Sequence, residues 1–284
     1  MLTALVCTRD RPHLLGDCLQ SLAAAMPPNG ELLIVAYGDS NADALVAELG
    51  IDAHVVHAPR GGKSRQLNLG LLEARHDIVV LTDDDCRVDP SWLVAMASPF
   101  ADPAVGAAFG HVVGLSSVKG APLAAAAPGP APAVTWVYAN GAAMAVRRRA
   151  AIEVGGYDER LGPGAPLHGE EHDLVLRLQE GGWLVEIADA SPVQHLEWRD
   201  AEETRRNLLV YSRGAGAFIG AALRRAPRRS LRTAVRRAKY QLALWRHRDA
   251  EGWTFGPATS FAFARGLVRG LLLRPRRFLG PLDD

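Results

Sequence analysis

Residues 60–92, RGGKSRQLNLGLLEARHDIVVLTDDDCRVDPSW, decide the reading of the fold. Lys63–Ala74 has helical spacing, and Asp77–Thr82 (DIVVLT) is an unbroken apolar run. A strand that does not alternate between apolar and polar is covered on both faces, which is the habit of a parallel sheet. Three carboxylates, Asp83, Asp84 and Asp85, follow that strand directly. Asp89-Pro90 then predicts a new helix, with Asp as N-cap and Pro at the first helical position. Upstream, Leu2–Cys7, Glu31–Ala36 and Ala53–His57 read as strands, and Pro12–Ala25 and Ala42–Leu49 as helices. The order βαβαβαβ predicts an α/β, Rossmann-like sheet of mostly parallel strands flanked by helices.

Downstream the pattern continues more loosely. Val105–Leu115 and Trp136–Val146 are candidate strands, separated by an Ala/Pro/Gly-rich loop at Ser116–Pro132. Gly155-Gly156-Tyr157-Asp158 reads as a turn, Glu170–Glu180 as a helix and Trp183–Ala188 as a strand. After Asp200 the period is helical: Leu208, Tyr211, Ala215, Phe218 and Ala222 form one stripe. Leu231, Val235, Ala238, Leu242 and Trp245 form another, and Ser260–Leu273 is a last candidate helix. The expected division is residues 1–199, a catalytic domain, and 200–284, a basic helical C-terminal appendage.

Charge supports that division. The net charge is only +1, yet residues 1–199 carry 14 basic and 24 acidic residues, and residues 200–284 carry 18 basic and 7 acidic. The acidic half suits a cation site. The basic tail suits an anionic membrane surface, or an acidic face of the same chain or of a second subunit. No nucleic-acid motif is found, so nucleic-acid binding is not expected. Three cysteines without a paired spacing point to a reducing compartment, with no disulfide framework. No secretory signal and no apolar run of about 18 residues is seen, so the expected location is cytoplasmic, with peripheral membrane attachment left open.

In a parallel α/β sheet, ligands sit beyond the carboxyl ends of the strands. Those ends carry Thr8-Arg9-Asp10, Gly38-Asp39-Ser40, Arg60-Gly61-Gly62-Lys63 and the aspartate triplet. Three adjacent carboxylates repel one another, and Mg²⁺ or Mn²⁺ with a diphosphate relieves that repulsion. The alternative is a solvated acidic turn capping the next helix. Asp39 has the chemistry to hold a base or ribose, and Arg60 and Lys63 flank two glycines where a phosphate could approach. The Gly62-Lys63-Ser64 triplet is not a P-loop, because the earlier glycine of that motif would fall on His57. His168-Gly-Glu-Glu-His-Asp173 is not the zinc-protease spacing. Glu170 and Glu171 suit a helix N-terminus, and a carboxylate there is also placed to act as a general base. Asp173 either holds this loop or binds acceptor hydroxyls. His195, after the last strand, is either structural or a ligand beside carboxylates.

Taken in order, these segments resemble the family 2 glycosyltransferases of the GT-A fold. TRDRPHLL at residues 8–15 looks like the family's opening nucleotide-site segment, which brings in Thr8 and Arg9. The stretch 60–92 is similar to its Asn-x-Gly helix, with Asn68, and its DxD motif. MAVRR, GGYDERLGPG and GEEHDLVLRLQEGGW look like its acceptor and base region, over roughly residues 3–195 in all. The resemblance implies an inverting single displacement from a nucleotide-diphosphate sugar to a glycan or lipid-linked acceptor, in glycan synthesis at the cell envelope. It implies a base contact by Asp39, ribose contact by Asp83, donor contacts by Asp84, Arg60 and Lys63, and Mn²⁺ or Mg²⁺ at Asp85 with His195. Glu171 stands at the general-base position, where the family more often has Asp. Trp136, Glu170 and Asp173 fall on the acceptor side. Ala143 replaces the Asn common before the Met-Ala-x-Arg-Arg stretch, with Asn140 three residues earlier.

Two other functions compete. A nucleotidyltransferase would want a glycine-rich phosphate loop after the first strand, and TRDRPH offers none. A nucleotide-sugar-binding scaffold without turnover would not need both the aspartate triplet and Glu171.

Overall fold

The computed structural model describes residues 1–113, 139–196, 201–243, 245, 254–274 and 276–279. The sequence from the N-terminus alternates β1 (Thr3–Arg9), α1 (Pro12–Ala25), β2 (Glu31–Tyr37), α2 (Ala42–Leu49), β3 (His54–His57), α3 (Lys63–Glu73) and β4 (Ile78–Asp83). Then follow β5 (Cys86–Arg87), α4 (Trp92–Ala97), β6 (Val105–Phe109), β7 (Val112–Val113), β8 (Met144–Arg147), α5 (Arg148–Glu153), α6 (Glu170–Glu180), β9 (Leu184–Ile187) and β10 (Val193–His195). Three C-terminal helices complete the described chain: α7 (Ala201–Arg225), α8 (Pro227–Ala243) and α9 (Gly256–Leu272). None of the helices among the described residues is long and apolar enough to cross a membrane.

The main sheet has the order β3-β2-β1-β4-β8-β6-β9. β3, β2, β1 and β4 are parallel, β8 runs antiparallel to both neighbours, and β6 pairs β9 in parallel. Alternation along the strands feeds two cores, one on each face. Leu5, Leu33, Val35, Val79 and Leu81 meet Leu67 and Leu71 of α3 and Leu174 and Val175 of α6. Ala4, Val6, Ile34 and Val80 meet Leu15, Leu19 and Leu22 of α1 and Trp92, Leu93 and Met96 of α4. The continuous apolar reading of these strands therefore follows from burial on both faces. Gly70 lets α3 lie close on β1: a Cβ there would stand 2.5 Å from Leu5. A second, small sheet, β5-β10-β7, sits beyond the end of β4.

The C-terminal helices share this core. Ala215, Phe218, Ile219 and Ala222 of α7, with Leu279, pack among the residues under α3 and α6. α7 and α9 approach until a Cβ on Gly216, Gly220, Gly266 or Gly270 would collide with the partner's backbone.

Several boundaries depart from the sequence reading. α4 starts at Trp92 rather than at Pro90. Asp89 instead forms a turn, its Oδ1 accepting from the amide and hydroxyl of Ser91 at 3.0 and 2.7 Å. The candidate strand at 105–115 is broken after Phe109 into β6 and β7, and residues 114–115 lie outside the described ones. The loop at 116–132 and residues 136–138 lie outside them too. Within 139–146 only Met144 onward is strand. α9 begins four residues before Ser260. In α8 the apolar stripe is exposed: Leu231 is 58% and Leu242 66% accessible.

Candidate active site

The carboxyl ends of β1 and β4 are neighbours, so Thr8 and the aspartate triplet meet across the sheet edge. Thr8 Oγ1 donates to Asp84 Oδ2 at 2.8 Å. Arg11 contacts Asp84 Oδ1 at 2.6 Å and Asp85 Oδ2 at 3.1 Å. Lys63 Nζ pairs with Asp83 Oδ1. The repulsion of three adjacent carboxylates is thus offset by the chain's own cations. Burial alone would raise Asp83, but the charge and hydrogen bond of Lys63 outweigh it and hold the carboxyl below the usual range. Asp84 is fully buried, and burial pushes its carboxyl up to about 6 against the opposing pull of Arg11 and Thr8. Burial would lower Lys63, yet Asp83 and Glu170 raise it well above an ordinary lysine.

The small sheet brings together a group of residues with the chemistry to hold a cation. β10 pairs antiparallel with β5, placing His195 opposite Cys86. Leu196 N donates to Asp85 O at 2.9 Å. These bonds hold His195 Nε2 3.4 Å from Asp85 Oδ1. One ligand atom from each of Asp85, Cys86 and His195 lies within 4.8 Å of the others. A carboxylate oxygen and an imidazole nitrogen at that spacing fit a divalent cation such as Mn²⁺. Arg11 and Cys86 are the two residues of this group that the sequence reading leaves aside. Their only signal was position, the second arginine of TRDR and the residue after the triplet.

On the other side of Lys63 stands the start of α6. Gly169, with φ 98°, turns the chain into the helix, and its amide donates to Glu170 Oε2 at 3.2 Å. Glu170 is buried, and burial followed by the charge of Glu171 raises its carboxyl well above the usual range. Glu171 is half-buried. Gly141 keeps open the space where Lys63 and Glu171 meet, since a Cβ there would stand 3.3 Å from Lys63 Nζ and 3.6 Å from Glu171 Oε1. Cys7, Lys63, Thr82, Gly141, Tyr157 and Glu171 line a cavity at this point. The topology therefore brings Asp83, Lys63, Glu170 and Glu171 into one cluster, with Asp85 and His195 beside it.

α7 packs against the start of α6, which carries Glu171, and against the loop before it. Phe218 stacks on His172 with ring centroids 4.9 Å apart, and Tyr211 meets His168 edge-on at 5.5 Å. Asp173 accepts from Arg177 Nε at 2.8 Å and from Arg225 Nη1 at 3.0 Å. Burial would raise its carboxyl, but the two arginines hold it low. Of the two roles open to Asp173, the geometry matches holding the loop, because both carboxylate oxygens already accept from arginine.

The remaining residues sort by exposure. Asp39 is exposed on the rim, its amide donating to Asp10 Oδ1 at 2.8 Å. Arg9 pairs with Asp10 at 3.1 Å and lies over the Tyr37 ring. Arg60 is exposed in the turn before α3. Two residues expected at the donor are placed otherwise. Asn68 is buried, its Nδ2 donating to Tyr157 O at 3.0 Å and its Oδ1 accepting from Tyr157 N at 2.7 Å. Its amide braces the 155–159 turn. Asp84 has no exposed surface and braces Thr8 and Arg11. Trp136 lies outside the described residues.

Comparison with known proteins bears on the fold. The family described as Glycosyl transferase family 2 matches residues 3–123. None of the curated proteins matches the chain. Among solved structures, a mannosyltransferase from Pyrobaculum calidifontis in complex with GDP-Man and Mn²⁺ is similar over 95% of this chain and 73% of its own, with a TM-score of 0.60 and 16% identity. Glucosyl-3-phosphoglycerate synthase from Mycobacterium tuberculosis, in complex with Mn²⁺, UDP-glucose and phosphoglyceric acid, is similar over 74% of this chain and 78% of its own. That match has a TM-score of 0.53 and 16% identity. TarS of S. aureus in complex with UDP-GlcNAc matches 75% of this chain and 66% of its own, with a TM-score of 0.56 and 14% identity. At these identities the likeness is one of fold.

Proposed function

We propose, given that residues 3–123 belong to the family 2 glycosyl transferases, that this chain transfers a glycosyl group with inversion from a nucleoside-diphosphate sugar to an acceptor hydroxyl. The observation that carries the reading is the meeting of two groups at one sheet edge. Asp85 and His195 form a cation-binding pair, and Lys63 stands between Asp83 and Glu171.

In this reading Asp85 and His195 hold Mn²⁺ or Mg²⁺, as the Mn²⁺-bound relatives favour. When bound, the cation offsets charge on the departing diphosphate. Asp83 and Asp39 contact the nucleoside, and Lys63, Arg60 and Arg9 supply positive charge toward the diphosphate. Glu171 accepts the proton of the acceptor hydroxyl as that oxygen bonds to the anomeric carbon. The bond from that carbon to the diphosphate oxygen breaks on the opposite side, which inverts the configuration. Lys63 sets its positive charge beside Glu171 across the space that Gly141 leaves open. Glu170, buried and raised, supports the helix start rather than taking the proton.

The donors in the similar structures carry guanosine or uridine diphosphates, and a donor of that class is proposed here. Residues 1–199 act as the catalytic domain. Residues 200–284 are proposed to hold the chain peripherally on the cytoplasmic side of an anionic membrane, where a glycan or lipid-linked acceptor for envelope synthesis is presented. Calorimetric titration with UDP-, GDP- and dTDP-sugars, with and without Mn²⁺, tests the donor reading. Saturable binding of one donor that needs the cation supports it, and no binding of any donor to folded protein overturns it.

A further inference from the structure

Helix α8 is inverted with respect to water. Its apolar residues fall at Leu231, Val235, Ala238 and Leu242, continued by Trp245, the spacing of a single helix face. A helix on a water-facing surface packs such a stripe inward. Here Leu231, Val235, Leu242 and Trp245 are 58, 47, 66 and 52% accessible. The inward side carries Ser230, Thr233 and, of the apolar residues, the small Ala234, with Arg237 turned inward and its Nε buried. α9 repeats the pattern. Phe261, Val268 and Leu272 are exposed along one stripe, while Gly266 and Gly270 face α7. The two stripes meet where Trp245 Nε1 donates to Ser260 Oγ at 2.9 Å, beside Phe261.

The flanks of both stripes are cationic. Arg228, Arg232, Arg236 and Lys239 are exposed along α8, and Arg265 and Arg269 along α9. Neither helix contains an aspartate or glutamate. A second copy of this face would set cation against cation. An anionic bilayer offers an acyl boundary for the stripe and phosphates within reach of long cationic side chains. We propose that the outward faces of α8 and α9 dock on an anionic lipid bilayer, with Leu231, Val235, Leu242, Trp245 and Phe261 entering the headgroup boundary. The inference rests on the proposed membrane attachment of residues 200–284 and adds which face makes it. It is independent of the transfer chemistry.

The test is sedimentation of the full chain with vesicles of phosphatidylglycerol and phosphatidylcholine, against pure phosphatidylcholine. Two variants run alongside: Leu231→Ser with Val235→Ser and Leu242→Ser, and Arg232→Gln with Arg236→Gln and Lys239→Gln. All six positions are exposed, and circular dichroism checks that both variants fold. The wild type is expected to pellet with the anionic vesicles only. The apolar variant should bind at least about tenfold more weakly, and the charge variant on the order of 100-fold more weakly at low salt. Undiminished binding by both variants overturns this face while leaving attachment through other parts of residues 200–284. A wild type that binds neither vesicle overturns the attachment and the face together. A wild-type dimer that ignores vesicles and is broken by the apolar variant overturns the proposal in favour of a second copy.

Discussion

His195 Nε2 stands 3.4 Å from Oδ1 of Asp85, although the two residues lie far apart in the chain. The antiparallel pairing of β10 with β5 makes that contact, so the proposed cation site exists only once the small sheet has formed. His195→Ala should therefore weaken Mn²⁺ binding by at least about tenfold without unfolding the protein. Titration of Mn²⁺ followed by electron paramagnetic resonance reads this directly. Equal affinity in the variant would remove His195 from the cation site.

Asp84 should make the cation-free protein less stable as pH rises. Its folded pKa of about 6 lies above the unfolded carboxylate value. The associated stability is therefore complete below the unfolded value and is lost as pH rises through 6. The difference amounts to about 3 kcal/mol at neutral pH. Asp84→Asn should gain on the wild type by an amount of this order between about pH 4 and 7, with divalent cations chelated. Urea unfolding at a series of pH values checks it, and a constant difference across the range would contradict it.

Arg225 joins α7 to the buried Asp173 of α6. Arg225→Met should cost about 3 kcal/mol, because it leaves a buried carboxylate with one arginine fewer. Asp173 is held below its ordinary pKa, so the stability it confers is present above the unfolded value and lost as pH falls through the folded one. The deficit of the variant should then shrink in acid below about pH 4. A deficit that is unchanged in acid would show that the loss comes from packing alone.

Asn68→Ala should lower stability by about 2 kcal/mol through the unpaired Tyr157 backbone groups. The donor KM of the folded variant should stay within about twofold of the wild type, since the amide braces a turn rather than touching donor. A donor KM raised tenfold or more would return Asn68 to the donor site.

The sheet and its first helices were legible because they are governed by local rules. DIVVLT could only be a strand covered on both faces, and Pro12 and the αL glycine at Gly50 mark the ends of helices that the sequence already delimits. The positions of Asp83, Asp85, Lys63 and Glu171 followed from strand ends and a helix start. What was not legible depended on long-range packing. Whether Asn68 and Asp84 face ligand or interior is decided by Tyr157, Thr8 and Arg11, which are remote in sequence. The role of Asp173 waited on Arg225, well downstream on α7. The stripe of α8 was visible as a period, but a period alone does not say which face meets water. Asp89 has the sequence context of an N-cap, and the competing Asx turn to Ser91 moves the helix start to Trp92.

The Asp85–His195 pair and Glu171 are proposed to serve one transfer reaction. Its most direct measurement is the release of nucleoside diphosphate from UDP-, GDP- and dTDP-sugars by the wild type, Asp85→Ala and Glu171→Gln, in Mn²⁺ and in EDTA, with acceptor supplied. The wild type should release one nucleoside diphosphate only with the cation. Asp85→Ala should lose it, and Glu171→Gln should fall by about 10²–10⁴-fold while still binding donor. Release that persists in EDTA, or in Glu171→Gln at the wild-type rate, would contradict it.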